Sequence, residues 1–390
     1  MSTSGTKRTI VLFEDHDKHI DELMAAIKPL LGSKYVLKPF ELHVPPKTEK
    51  GPYEDRLEAE LKDAKYGNIV LVVTDRDLST KAWGGLSEAA VSRAAEQMGL
   101  PVACYRQQKS NVEDRLLRKP GNGQLELPFD PTERAHRIIT LCDGFVEMEK
   151  AMQPSATPVA KMAAGKTAAK TAAKSTAKPR SASPDGATPG TLLAGILKQP
   201  HVATHLDLFA CGDQRVISEI MSVSKDDKTK LSPLQERKLL IALGVWLADM
   251  VMEFPGVLVN SVAAASYLDI APEDFLKPQI QAVFASAKYV NLPFADERQP
   301  LWWRHLLDDL VTEGQVVSGL ALCESKGIKK LSHCPCSVDP KLHAGYYCIA
   351  TEKPISEEKS AGRVSWFPVG ADLARLTART HRVLAPWIGS

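Results

Sequence analysis

The sequence predicts an α/β protein that opens with a doubly wound parallel sheet, continues through a linker and ends in a mainly helical region. Two short runs, Ile10-Val-Leu-Phe13 and Ile69-Val-Leu-Val-Val-Thr74, are apolar and largely β-branched, as strands covered on both faces of a parallel sheet are. Between and after them, apolar residues recur at helical spacing, so strand and helix alternate as parallel sheets require. Both runs break into acidic residues, Glu14-Asp15 and Asp75-Arg-Asp77.

After the first strand, Ile20, Leu23, Met24, Ile27, Leu30 and Leu31 follow the i, i+3, i+4, i+7 pattern of a helix burying one face. Tyr35 to Phe40 reads as a second strand and residues 53–64 as a charged surface helix. A third strand at 69–74, a helix over 86–98 and a fourth strand from Leu100 to Tyr105 follow. The last helix of this region begins near Pro131, capped by Asp130 or Thr132, and runs through Ile138, Ile139 and Leu141. In such a sheet the carboxyl ends of the strands lie along the edge where ligands bind. Glu14, Asp15 and Asp75 would converge there, which is costly unless a cation neutralises them or one carboxyl keeps its proton. Mg²⁺ beside a reactive carboxylate is the expected chemistry.

A chain of 390 residues implies two or three domains, each large enough for its own core. Residues 151–190 mark the boundary: they contain no aromatic residue and almost nothing to bury, so they cannot offset the entropy of ordering. Five lysines and Arg180 against Asp185 leave this tract at +5 within a chain of +2, so the flanking regions together carry −3. The expected organisation is therefore a domain over 1–150, a disordered Ala/Lys/Pro linker over 151–190 and a domain over 191–390. The linker lysines could touch nucleic acid through unspecific electrostatics or simply keep a tether solvated. No apolar run approaches the roughly eighteen residues a membrane helix needs, and the polar N-terminal segment lacks a signal-peptide core, so a cytoplasmic, membrane-free protein is expected. Seven cysteines, an odd number, argue against a secreted disulfide framework.

Beyond the linker, Ser232-Pro-Leu-Gln235 is a capping box with proline in the first helical position. It opens a helix whose Leu239, Leu240, Leu243, Trp246, Leu247, Met250 and Val251 form one apolar face. Further helices are expected over 257–268, over 275–284 and from Trp302-Trp303 to Leu310, the paired tryptophans serving the core or a partner interface. Tyr346 to Ala350 and Val364 to Pro368 read as two strands joined by a charged turn. Leu373 to Leu384 reads as a helix, basic on one side through Arg375, Arg379, His381 and Arg382. Cys323, Cys334, Cys336 and Cys348, with His333 and His343 nearby in sequence, supply enough soft ligands for Zn²⁺, although no CxxC knuckle is present.

The stretch IVLFEDHDKHIDELMAAI resembles the opening of a response-regulator receiver domain, and VLVVTDRDL resembles the strand that carries its phosphoacceptor aspartate. LPVACY is similar to the fourth receiver strand and PFDPTERAHRIITL to the segment opening the last receiver helix. The resemblance covers about the first third of the chain and is narrowest to the divergent receivers of predicted prokaryotic conflict systems, which implies a place in antiviral defence. It implies a flavodoxin- or receiver-like fold, Asp75 as phosphoacceptor, and Glu14, Asp15, Asp75 and Asp77 around Mg²⁺. It also implies a histidine kinase or other phosphodonor protein and a downstream protein partner. Two positions depart from the family pattern. Arg106 or Gln107 stands where receivers carry Ser or Thr, and Leu127 stands where they carry Lys before Pro128-Phe129. Lys119 is a displaced candidate for that lysine, and Arg106 could contact a phosphoryl group in bidentate fashion.

Two alternatives stand beside phosphorelay signalling. One is a receiver-like domain that accepts no phosphate and regulates a C-terminal effector or nucleic-acid-binding domain. The other rests on Asp75 followed by Gly84-Gly-Leu-Ser-Glu88 and Gly99-Leu-Pro-Val102, which also resembles nucleoside deoxyribosyltransferase-like and Toll/interleukin-receptor-like enzymes. That resemblance implies glycosyl transfer or NAD hydrolysis through Glu88. The simpler account of Ser87-Glu88 is a helix start, where an acidic side chain suits the dipole.

Overall fold

The computed structural model describes residues 7–41, 53–78, 86–106, 125–152, 188–210, 232–365 and 367–388. The N-terminal part holds β1 (Arg8–Phe13), α1 (Asp17–Leu31), β2 (Tyr35–Pro39), α2 (Tyr53–Leu61), β3 (Ile69–Asp75), α3 (Glu88–Gln97), β4 (Val102–Tyr105), β5 (Leu125–Glu126) and α4 (Pro131–Met152). The strands form one five-stranded sheet in the order β2-β1-β3-β4-β5, parallel throughout. Side chains alternate across it as strand geometry demands. Ile10, Leu12, Val73, Ala103 and Tyr105 face α1 and α4, while Val11, Phe13, Val72, Val102 and Cys104 face α2 and α3. The expected α/β alternation is therefore realised as a doubly wound sheet.

The C-terminal part is mainly helical. It contains α5 (Pro189–Ile196), α6 (Ala203–Ala210), α7 (Pro233–Trp246, continued by a π-turn over Leu247–Val251), β6 (Leu258–Asn260) and α8 (Ser261–Tyr267). There follow α9 (Pro272–Phe275), α10 (Pro278–Val283), β7 (Leu301–Trp303), α11 (Arg304–Glu313), α12 (Gly319–Ser325), β8 (Tyr346–Cys348), β9 (Lys353–Ile355), β10 (Ala374–Arg375) and α13 (Ala378–Ile388). The Ser232/Gln235 capping box forms as expected. Every residue from Leu239 to Trp246 is buried, so α7 is a core helix rather than one with a single apolar face. None of the described helices is long and apolar enough to cross a membrane.

Several sequence expectations change here. The helix expected over 257–268 begins only at Ser261, because the Asn260 side chain caps it and the preceding residues pair as β6. Trp302 and Trp303 are strand residues, antiparallel to β6. They therefore point to opposite sides: Trp302 packs on Phe275 in one core, Trp303 on Tyr289 in another, and both are buried. The partner-interface alternative for them falls away. Val364 and Phe367 join no strand, and the Phe367 N–H donates to the Val364 carbonyl; Trp366 between them lies outside the described residues, and Lys353–Ile355 is the strand that pairs with β8. Pro278 starts its own helix and so divides the one expected over 275–284. Thr377 caps α13, which places Leu373 and Arg375 before the helix. Arg375 is buried, stacks 4.0 Å over Tyr346 and donates to the carbonyls of Asp372 and Ala374, so it does not share one basic helix side with Arg379 and Arg382. Of the expected linker, Ala151 and Met152 complete α4 and residues 188–190 open α5, while 153–187 lie outside the described residues.

The face of α4 turned away from the sheet is covered by the C-terminal part. Phe145 and Phe294 meet edge to face at 5.1 Å, Gly144 lies against the Phe294 ring, and Gly244 of α7 lies against Phe145 and Met148. Arg237 of α7 donates to the carbonyls of Gly99 (2.8 Å) and Ile69 (2.9 Å), at the amino-terminal side of the sheet. The two parts thus share one apolar core that includes Leu12, Ile138, Phe145, Leu243, Trp246 and Phe294.

Gly144 gives this contact a sign test. At an exposed helix position, replacing Gly by Ala stabilises by about 0.5–1 kcal/mol. Here the added methyl would overlap Phe294, so Gly144→Ala is expected to destabilise by about 1–3 kcal/mol. Chemical denaturation measures it; a midpoint at or above that of the wild type would show that α4 does not pack on Phe294.

Candidate functional site

Strand pairing places the acidic residues. Phe13 pairs with Thr74 and Asp75 with Tyr105, so Glu14, Asp75 and Tyr105 stand side by side at the carboxyl ends of β1, β3 and β4. In a sheet of this order the chain switches direction between β1 and β3, where open α/β folds bind ligands. Glu14, Asp15 and Asp75 are each 1% exposed. By the alternation of the strands, Glu14, Asp75 and Tyr105 belong to the face covered by α4.

Glu14 is held on three sides. The Tyr105 hydroxyl donates to its Oε2 at 2.5 Å, the His16 amide donates to its Oε1 at 2.8 Å, and His19 Nδ1 lies 3.7 Å from Oε2. Burial raises the Glu14 pKa above the ordinary glutamate value; the bonds from Tyr105 and His16 oppose that rise and the charge of Asp75 adds to it. Burial, with the nearby Glu14 charge, also raises the Tyr105 hydroxyl far above its usual value, so it remains a donor.

A cation missed by sequence reasoning completes the pocket. Arg134, four residues into α4, is buried, and its guanidinium lies 3.8 Å from the centre of the Tyr105 ring. It donates to the carbonyls of Pro128 (3.0 Å) and Phe129 (2.7 Å), so it closes the loop that leads into its own helix. Asp130 caps that helix by accepting from the amides of Thr132 and Glu133. Burial lowers the Arg134 pKa, against the pull of Tyr105, Asp75 and Glu14, yet an arginine remains charged. One sequence signal was available: a cation in the first turn of a helix opposes the macrodipole, which implies a tertiary use.

The other expected residues are placed as follows. The Asp77 amide donates to Asp75 Oδ1 at 3.2 Å, while the residue itself is exposed. Arg106 is exposed at the end of β4, and Lys119 lies outside the described residues. Glu88 begins α3 behind the Ser87 cap, and its Oε1 is 3.6 Å from the Cys104 thiol. Cys104 faces α3, so this carboxylate lies across the sheet from the Glu14–Tyr105 pair. Cys323, Cys334, Cys336 and Cys348 are all buried. Burial pushes the Cys323 thiol up to about 11 and the Cys334 thiol up to about 12. At Cys336 burial acts the same way but is outweighed by the neighbouring backbone amides, so its pKa falls.

Among the described residues, the one group of three His, Cys, Asp or Glu side chains with ligand atoms within 4.8 Å of one another is Asp269, His333 and His343. The four thiols form no such group, and neither do Glu14, Asp15 and Asp75. What the acidic pocket offers is carboxylate oxygens suited to a hard cation, beside a fixed guanidinium suited to an anion.

Because burial raises the Glu14 pKa, the folded state holds this proton more tightly than the unfolded chain does. Its contribution to stability is full at low pH and is lost as pH rises from 4.5 through the raised value. In chelator-containing buffer, Glu14→Gln is expected to remove this slope and to melt above the wild type at pH 7. Thermal melts at successive pH values test this, and parallel curves for the two proteins would overturn it. No protein-family model, curated protein or solved structure matches this chain.

Proposed function

We propose that residues 7–152 form a receiver-like regulatory module in which Asp75 accepts a phosphoryl group, and that the C-terminal part transmits or buffers that state. The observation that carries this reading is the burial of Glu14, Asp15 and Asp75 together, at the carboxyl ends of adjacent strands where a sheet of order β2-β1-β3-β4-β5 changes direction. A carboxylate so placed can attack phosphorus in line with the leaving group, forming an acyl phosphate as the donor bond breaks. Glu14, Asp15 and Asp75, with Asp77, are the oxygen donors that would hold Mg²⁺, and such an ion offsets the repulsion between carboxylate and phosphoryl oxygens. Arg134 supplies a second, fixed positive charge within electrostatic reach of Asp75.

The same residues suggest how the state travels. A cation at Glu14 would compete with the Tyr105 hydroxyl for the same carboxylate, and Tyr105 carries the stacked guanidinium of Arg134 at the start of α4. The far face of α4 packs on α7 and Phe294. A change at Glu14 therefore has a contiguous path into the C-terminal part, where a protein partner would read it. The phosphodonor would be a histidine kinase or a small acyl phosphate.

A second reading is favoured by the Tyr105–Glu14 bond and Arg134. They already answer the buried charge from within, as a docking module that no longer accepts phosphate would require. Incubation with acetyl phosphate and Mg²⁺, followed by intact-mass measurement, separates the two. One phosphoryl adduct on the wild type, absent from Asp75→Asn, is the expected result. No adduct from acetyl phosphate or from a cognate kinase would overturn phospho-acceptance in favour of docking.

A further inference from the structure

Asp269, His333 and His343 come together from three separate segments at the surface of the C-terminal part. Asp269 follows α8 with a left-handed backbone, φ +57°. The Ile270 amide reaches back to the Ala265 carbonyl (2.9 Å) and the Asp269 amide to that of Ser266 (3.4 Å). This is the helix stop in which glycine is the usual residue, because a side chain there is strained. An aspartate at this position keeps a carboxylate at a fixed place at some cost in backbone energy. Its Oδ1 is oriented by the Cys334 amide at 3.1 Å, which leaves Oδ2 directed at the two histidines. His333 Nδ1 lies 2.6 Å from Oδ2 and His343 Nδ1 lies 3.5 Å from it.

The two histidines are held as firmly as the carboxylate. His343 bridges Pro335 in a short antiparallel ladder, closed by the Ala344 amide on the Cys334 carbonyl and the Cys336 amide on the Leu342 carbonyl, each 2.9 Å. Just before His333, the Ser332 amide donates to Asp274 Oδ2 at 2.8 Å and the Ser332 carbonyl accepts from Ala271 at 2.9 Å. The imidazoles lie 4.5 Å apart, centre to centre, and their planes meet at 47°. The rings are more than half exposed, so an ion can enter and a fourth ligand can reach it.

We infer that Asp269, His333 and His343 form a binding site for a divalent transition-metal ion, with Zn²⁺ the best fit, that leaves one coordination position open to solvent. Two imidazoles and a carboxylate suit such ions, whereas Mg²⁺ and Ca²⁺ call for all-oxygen sites. Tetrahedral zinc with nitrogen and oxygen ligands about 2.0–2.2 Å away requires ligand atoms about 3.4 Å apart. The His343–Asp269 separation of 3.5 Å already meets this, and the His333–Asp269 hydrogen bond at 2.6 Å need open by less than 1 Å. In the metal-free protein that bond carries the Nδ1 proton; on binding, the ion takes its place and the neutral ring carries its one proton on Nε2, an imidazolium releasing its second proton to solvent. Ion binding would tie the end of α8 to both strands of the ladder. The site is independent of the Asp75 pocket.

The test is calorimetric titration of the chelator-treated full-length protein with Zn²⁺, followed by titration with Co²⁺ as an optical probe. The wild type is expected to bind one Zn²⁺, and Co²⁺ to give visible d–d absorption without the near-ultraviolet charge-transfer band of thiolate ligation. The exposed pair His333→Ala with His343→Ala should weaken Zn²⁺ binding at least tenfold. Asp269→Gly should do the same while keeping the fold, because glycine suits the left-handed turn. Asp75→Asn should bind Zn²⁺ like the wild type. The inference is overturned if the wild type binds no Zn²⁺, if the double variant binds it unchanged, or if a strong thiolate band appears.

Discussion

Three carboxylates buried at the ends of two adjacent strands are the constraint around which the N-terminal part is arranged. Charge inside a protein is tolerated when it is paired and hydrogen-bonded. Glu14, Asp15 and Asp75 lie where neither a surface position nor a single neighbour can serve all of them. Among the described residues, Tyr105 contributes a hydroxyl to Glu14 and Arg134 contributes a guanidinium stacked on Tyr105. Arg134 in turn satisfies two loop carbonyls and sits in the first turns of α4. The electrostatics of the pocket and the seating of the longest described helix of the N-terminal part are therefore one arrangement.

That helix has two tasks, and packing on both sides limits what it can do. Its inner face completes the sheet core with α1, and its outer face receives Phe294 and α7 at positions where only glycine leaves room. Close-packed interfaces of this kind shift between discrete arrangements rather than deform continuously. A rearrangement at Glu14 and Tyr105 would thus reach the C-terminal part as a change in how α4 is seated. The C-terminal part is itself organised by alternation: Trp302 and Trp303 anchor two different cores from one short strand.

Much of the architecture was legible in local pattern. The apolar strands with acidic ends, the 3.6-residue spacing of α1, the Asp130 cap and the Ser232 capping box are set by interactions within a few residues, and each appears where the spacing places it. Less legible was whatever needed a distant partner. Trp302-Trp303 reads as a helix start because Leu306, Leu307 and Leu310 continue a helical pattern; the strand exists only because Leu258–Asn260 lies alongside. Val364 to Pro368 has a strand's composition, yet its described residues join no sheet, and Lys353–Ile355, with a proline in its middle, takes that place at the edge of the small sheet.

The sequence alone thus determined that Glu14, Asp15 and Asp75 terminate buried parallel strands, since strand burial and strand end are written in consecutive residues. The tertiary structure alone decided what surrounds them. Tyr105 and Arg134 are nearly thirty residues apart in the chain, and no periodicity links a tyrosine ending one strand to an arginine opening a later helix. The same holds for Asp269, His333 and His343, which a helix stop and a short ladder bring within reach of one ion. Charges and ligands act through space, over distances that folding sets, and their order along the chain does not record those distances.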